Sequence, residues 1–474
     1  MSDTSTSAKS LDRVRLLALW VGPALAALTA WQTQHLSAEI AWTAATTVWC
    51  AIWWIFEPVQ IPVTSLLPLA IFPMVGVLTP EQVGASYGNP LVLLMMGGFM
   101  LSTAMERSGV HRRIAVGMVK AMGEGDSRRM IWGFMAASWF LSMWISNAAT
   151  VLMLLPIALA ALEGIEDSQI RGRLLLSLAY AASLGGIVTP IGTPPNLVFM
   201  QNFRVSFGEE PTFLDWMSWA LPVSLVMLPI AACWLTRGCR RETTVKLASS
   251  HPWRREEVRT LVVFAVTALL WVTRKQPFGG WSAISLPGFS LAAANDASVA
   301  MLAVVAMCLI PNGETEGRNR GRKLLDWDTA SNIQWGVLLL FGGGIAIAQA
   351  FGESGLSDTL GAHVAQLAEL PLIAMIACIC LIVTFLTEIT SNTATTTLLL
   401  PILAAAAVAA GIDAKSIMIP ATLSASFAFM LPVATPTNAI VFGGSDVTVR
   451  QMAREGLVLN LIGVVVVTAR CYFI

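Results

Sequence analysis

The sequence predicts an all-α polytopic membrane protein with about 11 transmembrane helices and two re-entrant hairpins. Of its 474 residues, 55% are hydrophobic and only 12% are charged, whereas a soluble domain averages about 25% charged residues. Apolar segments of about 20 residues, the length that crosses a bilayer as a helix, recur along the chain. They are residues 15–33, 39–56, 61–79, 89–106, 172–200, 217–236, 259–274, 294–311, 333–350, 416–443 and 456–473.

The hairpins are predicted in two further apolar stretches, residues 131–162 and 371–410, which are too long for one span. Polar residues interrupt the middle of each stretch, at Ser146-Asn147 and at Ser391-Asn392. We interpret each stretch as a hairpin that enters the membrane, turns at the polar pair and leaves on the side from which it came. Non-helical backbone is tolerated at that depth only where protein buries it or where it lines a cavity.

The two halves of the chain resemble each other. Residues 92–110 (VLLMMGGFMLSTAMERSGV) resemble residues 338–356 (LLLFGGGIAIAQAFGESGL) at an offset of 246 positions. The Ser-Asn pair recurs at an offset of 245, and a Thr-Pro motif at Thr193 recurs at Thr435, an offset of 242. An odd number of predicted crossings separates equivalent points. The second repeat is therefore predicted to be inverted, as in many secondary transporters.

This repeat predicts how the chain is organised. The first 14 residues are polar and lack the apolar region and cleavage site of a signal peptide, so we expect the first hydrophobic segment to be retained. The predicted units are an N-terminal cytoplasmic segment with the first span (1–38), a first inverted repeat (39–236) with a hairpin (131–162) and a broken helix (172–200), a cytoplasmic linker (237–258), and a second inverted repeat (259–474) with a hairpin (371–410) and a broken helix (416–443).

The distribution of basic residues predicts the orientation. With the N-terminus in the cytoplasm, the predicted inner segments hold 24 of the 29 Lys and Arg residues, and the outer segments hold five. This split favours that orientation, because cytoplasmic loops carry the excess of Lys and Arg. We expect a protein of the cell's inner (plasma) membrane with a cytoplasmic N-terminus and an outer C-terminus. The first hairpin then enters from the cytoplasmic side and the second from the outer side.

The hairpin tips are suited to bind an anion. Helix N-termini carry partial positive charge and free N–H groups, and Ser and Asn cap such ends while keeping donors for a ligand. Neither hairpin contains Lys or Arg. An anion at that depth would therefore need another positive charge, and a cation bound beside it is the simplest source.

The same regions offer oxygen ligands for that cation. Prolines at 194, 195 and 436 break their helices and release backbone carbonyl groups, which coordinate Na⁺ in broken transporter helices. The residue chemistry therefore indicates a site for an anion and sodium. Side-chain oxygens close to the motifs come from Ser142, Ser146, Asn147, Thr387, Ser391 and Asn392.

Four sequence segments closely resemble the divalent anion/sodium symporter family, the Na⁺-coupled carriers of di- and tricarboxylates. They are MWISNAATVLMLLPIALA, TPIGTPPN, LTEITSNTATTTLLLPI and LPVATPTNAI, in the family's order and spacing. The resemblance covers most of the chain after residue 40. It implies a homodimer in which a transport domain slides like an elevator against a fixed scaffold. That domain would contain both hairpins and both broken helices.

The resemblance also implies roles for individual residues. Ser146-Asn147 and Ser391-Asn392-Thr393 would hydrogen-bond the two substrate carboxylates, and Thr193-Pro194 and Thr435-Pro436 would complete the pocket. The implied sodium ligands are Ser142, Ser146, Asn147 and the carbonyl of Gly192 at one site, and Thr387, Asn392 and the carbonyls of Thr390 and Ala434 at the other.

The leading functional hypothesis is import of a C4-dicarboxylate (succinate, malate or fumarate) with two or more Na⁺. The family usually has Ser-Asn-Thr in both hairpins, but Ala148 replaces the Thr in the first. A citrate or sulfate carrier therefore stays open, as does a sodium-independent dicarboxylate exchanger. No nucleophile with a base and no metal-ligand set lies in the spans, so we expect no enzymatic activity. The expected partners are the substrate, Na⁺ and membrane lipids, with no organic cofactor and no nucleic acid.

Several other residues have simple structural roles open to them beside functional ones. Glu388 is the only acid inside either hairpin. It could serve a sodium site, sense protons, or support the tip by a hydrogen bond. The Gly-rich runs at 97–98 and 342–344 indicate close helix packing. The amphipathic stretch Val110–Met122 predicts an interfacial helix on the cytoplasmic face, with a counterpart at 356–370 on the outer face.

Overall fold

Helices form most of the described part of the protein, whose structure here is a computed structural model. It describes residues 3–122, 125–163, 165, 167–239, 242–243, 252–275, 279–314, 321–359, 371–443 and 447–474. In the first half, the helices are Asp3–Thr33, Ala38–Phe56, Ile61–Thr64, Leu67–Met74, Pro80–Tyr87, Pro90–Ser108, Val110–Met122, Ser127–Ser142, Asn147–Ala161, Ser168–Gly186, Pro194–Phe207 and Phe213–Leu235. In the second half they are Arg255–Val272, Asp296–Leu309, Trp327–Ala330, Trp335–Ser354, Leu372–Thr387, Asn392–Ala410, Lys415–Ala425, Pro436–Gly443 and Val449–Cys471.

Short strands and a 3₁₀ turn complete the described secondary structure. Gly125–Asp126 pairs antiparallel with Glu242–Thr243, and Ser285–Leu286 pairs with Phe289–Ser290. The first pairing joins the start of the first hairpin to the predicted linker 237–258, a contact that the sequence did not suggest. Much of that linker lies outside the described residues, as does most of the predicted outer interfacial segment 356–370.

The helices confirm the all-α fold predicted for the chain, and they occupy the predicted apolar segments. One segment differs. Residues 61–79 were expected to form a single span but form two short helices, Ile61–Thr64 and Leu67–Met74. Pro62 and Pro68 each lie in the first turn of one of these helices. Proline fits that position but lacks the N–H that a continuous helix would require.

Six helices in the described part of the chain are long and apolar enough to cross a membrane. Four shorter apolar segments accompany them, and two of these, Asn147–Ala161 and Leu372–Thr387, are arms of the predicted hairpins. How many helices cross, and whether the hairpins are re-entrant, stay predictions. The six are Arg13–Thr33, Pro80–Ser108 (which includes the junction between Pro80–Tyr87 and Pro90–Ser108), Phe213–Leu235, Trp335–Ser354, Asn392–Ala410 and Val449–Cys471.

Each half contains a helix–turn–helix unit followed by an interrupted helix. We call residues 143–146 the first turn and residues 388–391 the second turn. The first break, residues 187–193, separates Ser168–Gly186 from Pro194–Phe207. The second break, residues 426–435, separates Lys415–Ala425 from Pro436–Gly443. Both interruptions fall inside segments predicted as broken helices, at the prolines expected to break them.

The two halves interleave around these elements. Helix Ser127–Ser142 packs against Ser168–Gly186 in the first half, and Leu372–Thr387 packs against Lys415–Ala425 in the second. Across the halves, Asn147–Ala161 packs against the helix that follows the second break. In the reciprocal contact, Asn392–Ala410 packs against the helix that follows the first break. The four predicted polar motifs are thereby carried by elements that pack on one another.

Candidate functional site

The first turn joins two predicted site residues directly. Ser142 ends one helix and Asn147 begins the next, and the Ser142 Oγ donates a hydrogen bond to Asn147 Oδ1 at 2.5 Å. Ser146 is the N-cap of the second helix, where its hydroxyl accepts a hydrogen bond from the Ala149 N–H at 3.2 Å. Ser146 and Asn147 are half-buried. Their side-chain oxygens are therefore ordered by the turn while part of each side chain faces open space.

The second turn repeats this arrangement. Thr387 Oγ1 donates to Asn392 Oδ1 at 2.6 Å, which matches the Ser142–Asn147 bond at an offset of 245 positions. The same hydroxyl lies 2.8 Å from the Ala425 carbonyl oxygen. Ser391 is the N-cap of its helix, but its side chain makes no capping hydrogen bond. The start of this helix therefore does not use the Ser391 hydroxyl.

Glycines bring the first turn into contact with the first break. A Cβ added to Gly186 would lie 2.5 Å from Asn147 Oδ1, so only hydrogen fits between that backbone and the carboxamide. A Cβ added to Gly192 would overlap the Gly186 carbonyl oxygen. Thr189 Oγ1 also donates to the Met143 carbonyl oxygen. Ser142, Asn147 and Gly192, three of the four residues of the first predicted sodium site, thus lie in one closely packed region with Ser146 beside it.

A buried asparagine supports each break. Asn196 Nδ2 donates to the carbonyl oxygens of Gly186 at 3.0 Å and Thr189 at 2.7 Å. Asn438 Nδ2 donates to those of Ala428 at 3.0 Å and Leu431 at 3.0 Å. All these positions correspond at an offset of 242. The asparagines end the motifs used to find the repeat, but sequence reasoning assigned them no role. Their repetition after each Thr-Pro pair was the available signal.

Glu388 ties the second turn to the second break. It is 3% exposed, and its carboxylate accepts hydrogen bonds from the Met430 N–H at 2.9 Å and the Leu431 N–H at 3.0 Å. Asn460, on Val449–Cys471, donates to the same carboxylate at 2.6 Å. These bonds favour a supporting role for Glu388, because both carboxylate oxygens accept hydrogen bonds from protein donors. Asn460 was not identified from the sequence, because its partner lies 72 positions away.

The remaining predicted residues differ in accessibility. Thr193, Thr393 and Thr435 are buried, and Pro436 is exposed. Thr435 Oγ1 forms a hydrogen bond with Thr437 Oγ1 at 2.8 Å and accepts one from the Asn438 N–H at 3.2 Å. The Thr435 side chain is therefore engaged at the start of its own helix. Pro194 is half-buried.

Thr390 is predicted to bind sodium through its backbone carbonyl, and its side chain is engaged in other hydrogen bonds. Its hydroxyl donates to the Leu386 carbonyl oxygen at 2.8 Å and lies 2.6 Å from Thr395 Oγ1, so the side chain is fixed by its own hairpin. Ala434 is buried at the end of the second break. Between residues 3 and 474, the described part of the chain contains no group of three or more His, Cys, Asp or Glu residues that could hold a metal. The oxygens at the predicted cation sites are uncharged hydroxyl, carboxamide and carbonyl groups, which are hard donors of the kind that accepts Na⁺.

Comparison with known protein families identifies carriers of organic anions. Residues 51–417 match a family described as citrate transporter. The sodium-dependent dicarboxylate transporter SdcS of Staphylococcus saprophyticus is 36% identical over 490 residues, covering 98% of this chain and 92% of that protein. The protein of the same name from Staphylococcus aureus strain bovine RF122 is 36% identical over 494 residues, covering 99% of this chain and 93% of that protein.

Two solved structures share the fold at low sequence identity. The YdaH transporter of Alcanivorax borkumensis has a TM-score of 0.58 and 13% identity, over 84% of this chain and 86% of that chain. MtrF of Neisseria gonorrhoeae has a TM-score of 0.55 and 11% identity, over 83% of each chain. At this identity the similarity establishes a common architecture, and the substrates of those proteins do not transfer with it.

Proposed function

Because this chain belongs to the divalent anion/sodium symporter family, we propose that it couples Na⁺ to the transport of C4-dicarboxylates such as succinate, malate and fumarate into the cell. The family consists of integral membrane transporters, so the chain is a carrier and not an enzyme. The relatives named sodium-dependent dicarboxylate transporter support both the cation and the substrate class.

The observation that carries the proposal is the repeated hydroxyl–carboxamide pair. The Ser142–Asn147 and Thr387–Asn392 pairs join the end of one helix to the start of the next in each half, with the asparagine at the helix start. A helix N-terminus favours an anion through its free N–H groups and its dipole. The paired oxygens favour a cation. The two tips together therefore suit a complex of a dianion with at least two sodium ions, whose charges balance.

We assign the sodium ligands as follows. One ion is held by the side chains of Ser142, Ser146 and Asn147 with the Gly192 carbonyl. The close contact of Asn147 with Gly186, and of Gly186 with Gly192, supports this set. The other ion is held by the side chains of Thr387 and Asn392 with the carbonyls of Thr390 and Ala434. The oxygen ligands of both sodium sites are uncharged, so the positive charge of each ion stays available to the substrate.

The substrate carboxylates are assigned to the two tips. One contacts Ser146 and Asn147, and the other contacts Ser391, Asn392 and Thr393. The free hydroxyl of Ser391 supports its part in this assignment, because no capping bond competes for it. Thr193-Pro194 and Thr435-Pro436 close the pocket. Ala148 stands where the other tip has Thr393, so the first tip offers one hydroxyl fewer.

The mechanism that we propose is alternating access by a homodimer. Two inverted repeats, 39–236 and 259–474, each supply a re-entrant hairpin and a broken helix, and these four elements move as one transport domain against the scaffold. The reciprocal packing of each hairpin on the broken helix of the other half supports their motion as a unit. The N-terminus is assigned to the cytoplasm and the C-terminus to the outside, following the distribution of Lys and Arg.

Two other substrates and one other mechanism compete with this proposal. Citrate is favoured by the description of the matching family, and Ala148 leaves room for a larger or differently shaped anion than a dicarboxylate. Sulfate is the other candidate substrate, because it is a dianion like a C4-dicarboxylate. A sodium-independent dicarboxylate exchanger would use the same tips for substrate and would leave the oxygens of Ser142 and Thr387 without an ion.

Labelled succinate uptake into proteoliposomes tests the proposal. We expect concentrative uptake with an inward Na⁺ gradient and none with K⁺ or choline, because the negative charge of the substrate is balanced by Na⁺. Unlabelled malate and fumarate are expected to compete more strongly than citrate or sulfate. Stronger competition by citrate or sulfate would reassign the substrate. Uptake without Na⁺ that requires internal dicarboxylate would identify an exchanger instead.

A further inference from the structure

A groove on the protein surface lies between two helices that are long and apolar enough to cross a membrane, Phe213–Leu235 and Val449–Cys471. Its volume is about 440 Å³, and Pro229 and Cys233 on its wall are exposed. These helices pack directly on each other beside the groove. Except for Arg237 its lining is apolar or aromatic, comprising Pro229, Ile230, Cys233, Trp234, Arg237 and Ile462.

Arginines gather at one end of this groove. Arg237 Nη2 lies 2.5 Å from Glu455 Oε2, and Arg454 Nη2 lies 3.0 Å from Glu455 Oε1. Arg173 donates to the carbonyl oxygen of Arg237. Glu455 is fully buried while the Arg454 side chain is 62% exposed. The Glu455 carboxylate thus pairs with two guanidinium groups and a third arginine lies beside them, so the end of the groove carries an excess of positive charge.

Two buried donors at this end have no acceptor in the described part of the chain. They are Arg173 Nε and Trp234 Nε1. The Arg237 guanidinium lies over the Trp234 ring, 3.6 Å from its centroid, which holds the indole at the rim of the groove. Buried N–H groups without a partner are costly. These two atoms are shielded from solvent, so the charged groups that a ligand in the groove can reach are the Arg237 and Arg454 side chains, which are 32% and 62% exposed.

The groove therefore has an apolar wall and a positively charged end. These two features match the acyl chain and the phosphate of a phospholipid. The helical distance from Arg237 to Pro229, eight positions, is about 12 Å, enough for much of an acyl chain. The distribution of Lys and Arg puts the arginine cluster on the cytoplasmic side. Anionic lipids are concentrated in that leaflet, and basic pockets between spans on that side bind their headgroups.

We infer that this groove binds one anionic phospholipid of the cytoplasmic leaflet. One acyl chain lies along Pro229, Ile230, Cys233 and Ile462, and the phosphate lies at Arg237 and Arg454. This lipid site is separate from the two turns and does not depend on which substrate is carried. It gives the helix pair a bound lipid that moves with it in the membrane.

Native mass spectrometry of the full-length, delipidated protein tests the inference, with phosphatidylglycerol and phosphatidylcholine of matched chains as probes. We expect the protein to retain one phosphatidylglycerol in preference to phosphatidylcholine. Cys233→Trp fills the groove and is expected to abolish that retention. Arg454→Gln removes one exposed charge and is expected to weaken it about fivefold. Cys378→Trp, at another exposed cysteine, is the matched control and is expected to bind as the unmodified protein does.

Thermal unfolding of each variant, measured without lipid, shows whether it is folded. Both cysteine sites are exposed, so the midpoints are expected to agree with that of the unmodified protein. Equal retention of the two lipids would overturn the inference, because the arginine cluster would then have no part in binding. So would unchanged phosphatidylglycerol retention in Cys233→Trp. Binding of inorganic phosphate without any retained lipid would also contradict an acyl chain in the groove.

Discussion

Asn147→Ala and Asn392→Ala are each expected to reduce sodium-driven uptake at least about a hundredfold, which corresponds to about 2.7 kcal/mol. Each asparagine accepts a hydrogen bond from a hydroxyl five residues earlier, Ser142 or Thr387. In the proposed site it also contacts a sodium ion and a carboxylate. Hydrogen bonds to charged groups contribute about 1.5–3 kcal/mol each. Loss of both interactions therefore exceeds what a hundredfold effect requires.

The uptake of both variants is measured in proteoliposomes under the same Na⁺ gradient, with reconstituted protein quantified. Asn202→Ala provides the control. Asn202 is 2% exposed and its Nδ2 donates to the Val198 carbonyl oxygen at 2.9 Å within its own helix. Removing this carboxamide changes a buried asparagine without touching either tip, so uptake is expected to stay within about threefold of normal. Near-normal uptake by Asn147→Ala and Asn392→Ala would remove the site assignment.

Gly186→Ala is the second substitution for which we expect a large effect. Its new Cβ would lie 2.5 Å from Asn147 Oδ1 and 2.8 Å from Asn147 Nδ2, closer than van der Waals contact allows. The overlapping atoms are the end of a side chain and not backbone. The carboxamide is therefore expected to move out of place while the helix Ser168–Gly186 still packs. We expect at least a tenfold loss of apparent Na⁺ affinity, measured from the Na⁺ dependence of succinate uptake.

Alanine substitutions at two other glycines serve as comparisons for Gly186→Ala. Gly352→Ala has open space around its Cβ, so its uptake and stability are expected to be nearly unchanged. Gly185→Ala would overlap the backbone carbonyl of Trp139, which cannot move aside, and is expected to reduce the yield of folded protein. Normal sodium affinity in Gly186→Ala would show that the Asn147 carboxamide is not held where the proposed site requires it.

The sequence predicted the helices well because hydrophobicity and proline are local signals. The breaks after Gly186 and Ala425 fall in the segments expected to contain them, and the hairpin turns lie at Ser146 and Ser391. The division of residues 61–79 was missed, although Pro62 and Pro68 were visible. There the apolar run extends through both prolines, and hydrophobicity alone could not show that proline would start a new helix.

The contacts that shape the site could be predicted only in part. Repetition of the motifs paired Ser142 with Thr387 and Asn147 with Asn392, and the hydrogen bonds follow that pairing. The bond from Asn460 to Glu388 could not be predicted, because it joins distant segments and has no counterpart in the first half, where Met143 occupies the position of Glu388. The contact of Gly186 with Asn147 likewise depends on how two helices pack.

Equilibrium binding of labelled succinate to the purified protein, titrated with Na⁺ against choline, tests the central claim most directly. If the two turns bind the dianion and the cations together, succinate affinity is expected to rise steeply with Na⁺. Linkage requires that succinate raise the affinity for Na⁺ by the same factor. We expect saturable succinate binding in Na⁺ and none in choline at equal ionic strength. Equal binding in both media would contradict it, since the proposed sodium sites would then contribute nothing to holding the substrate.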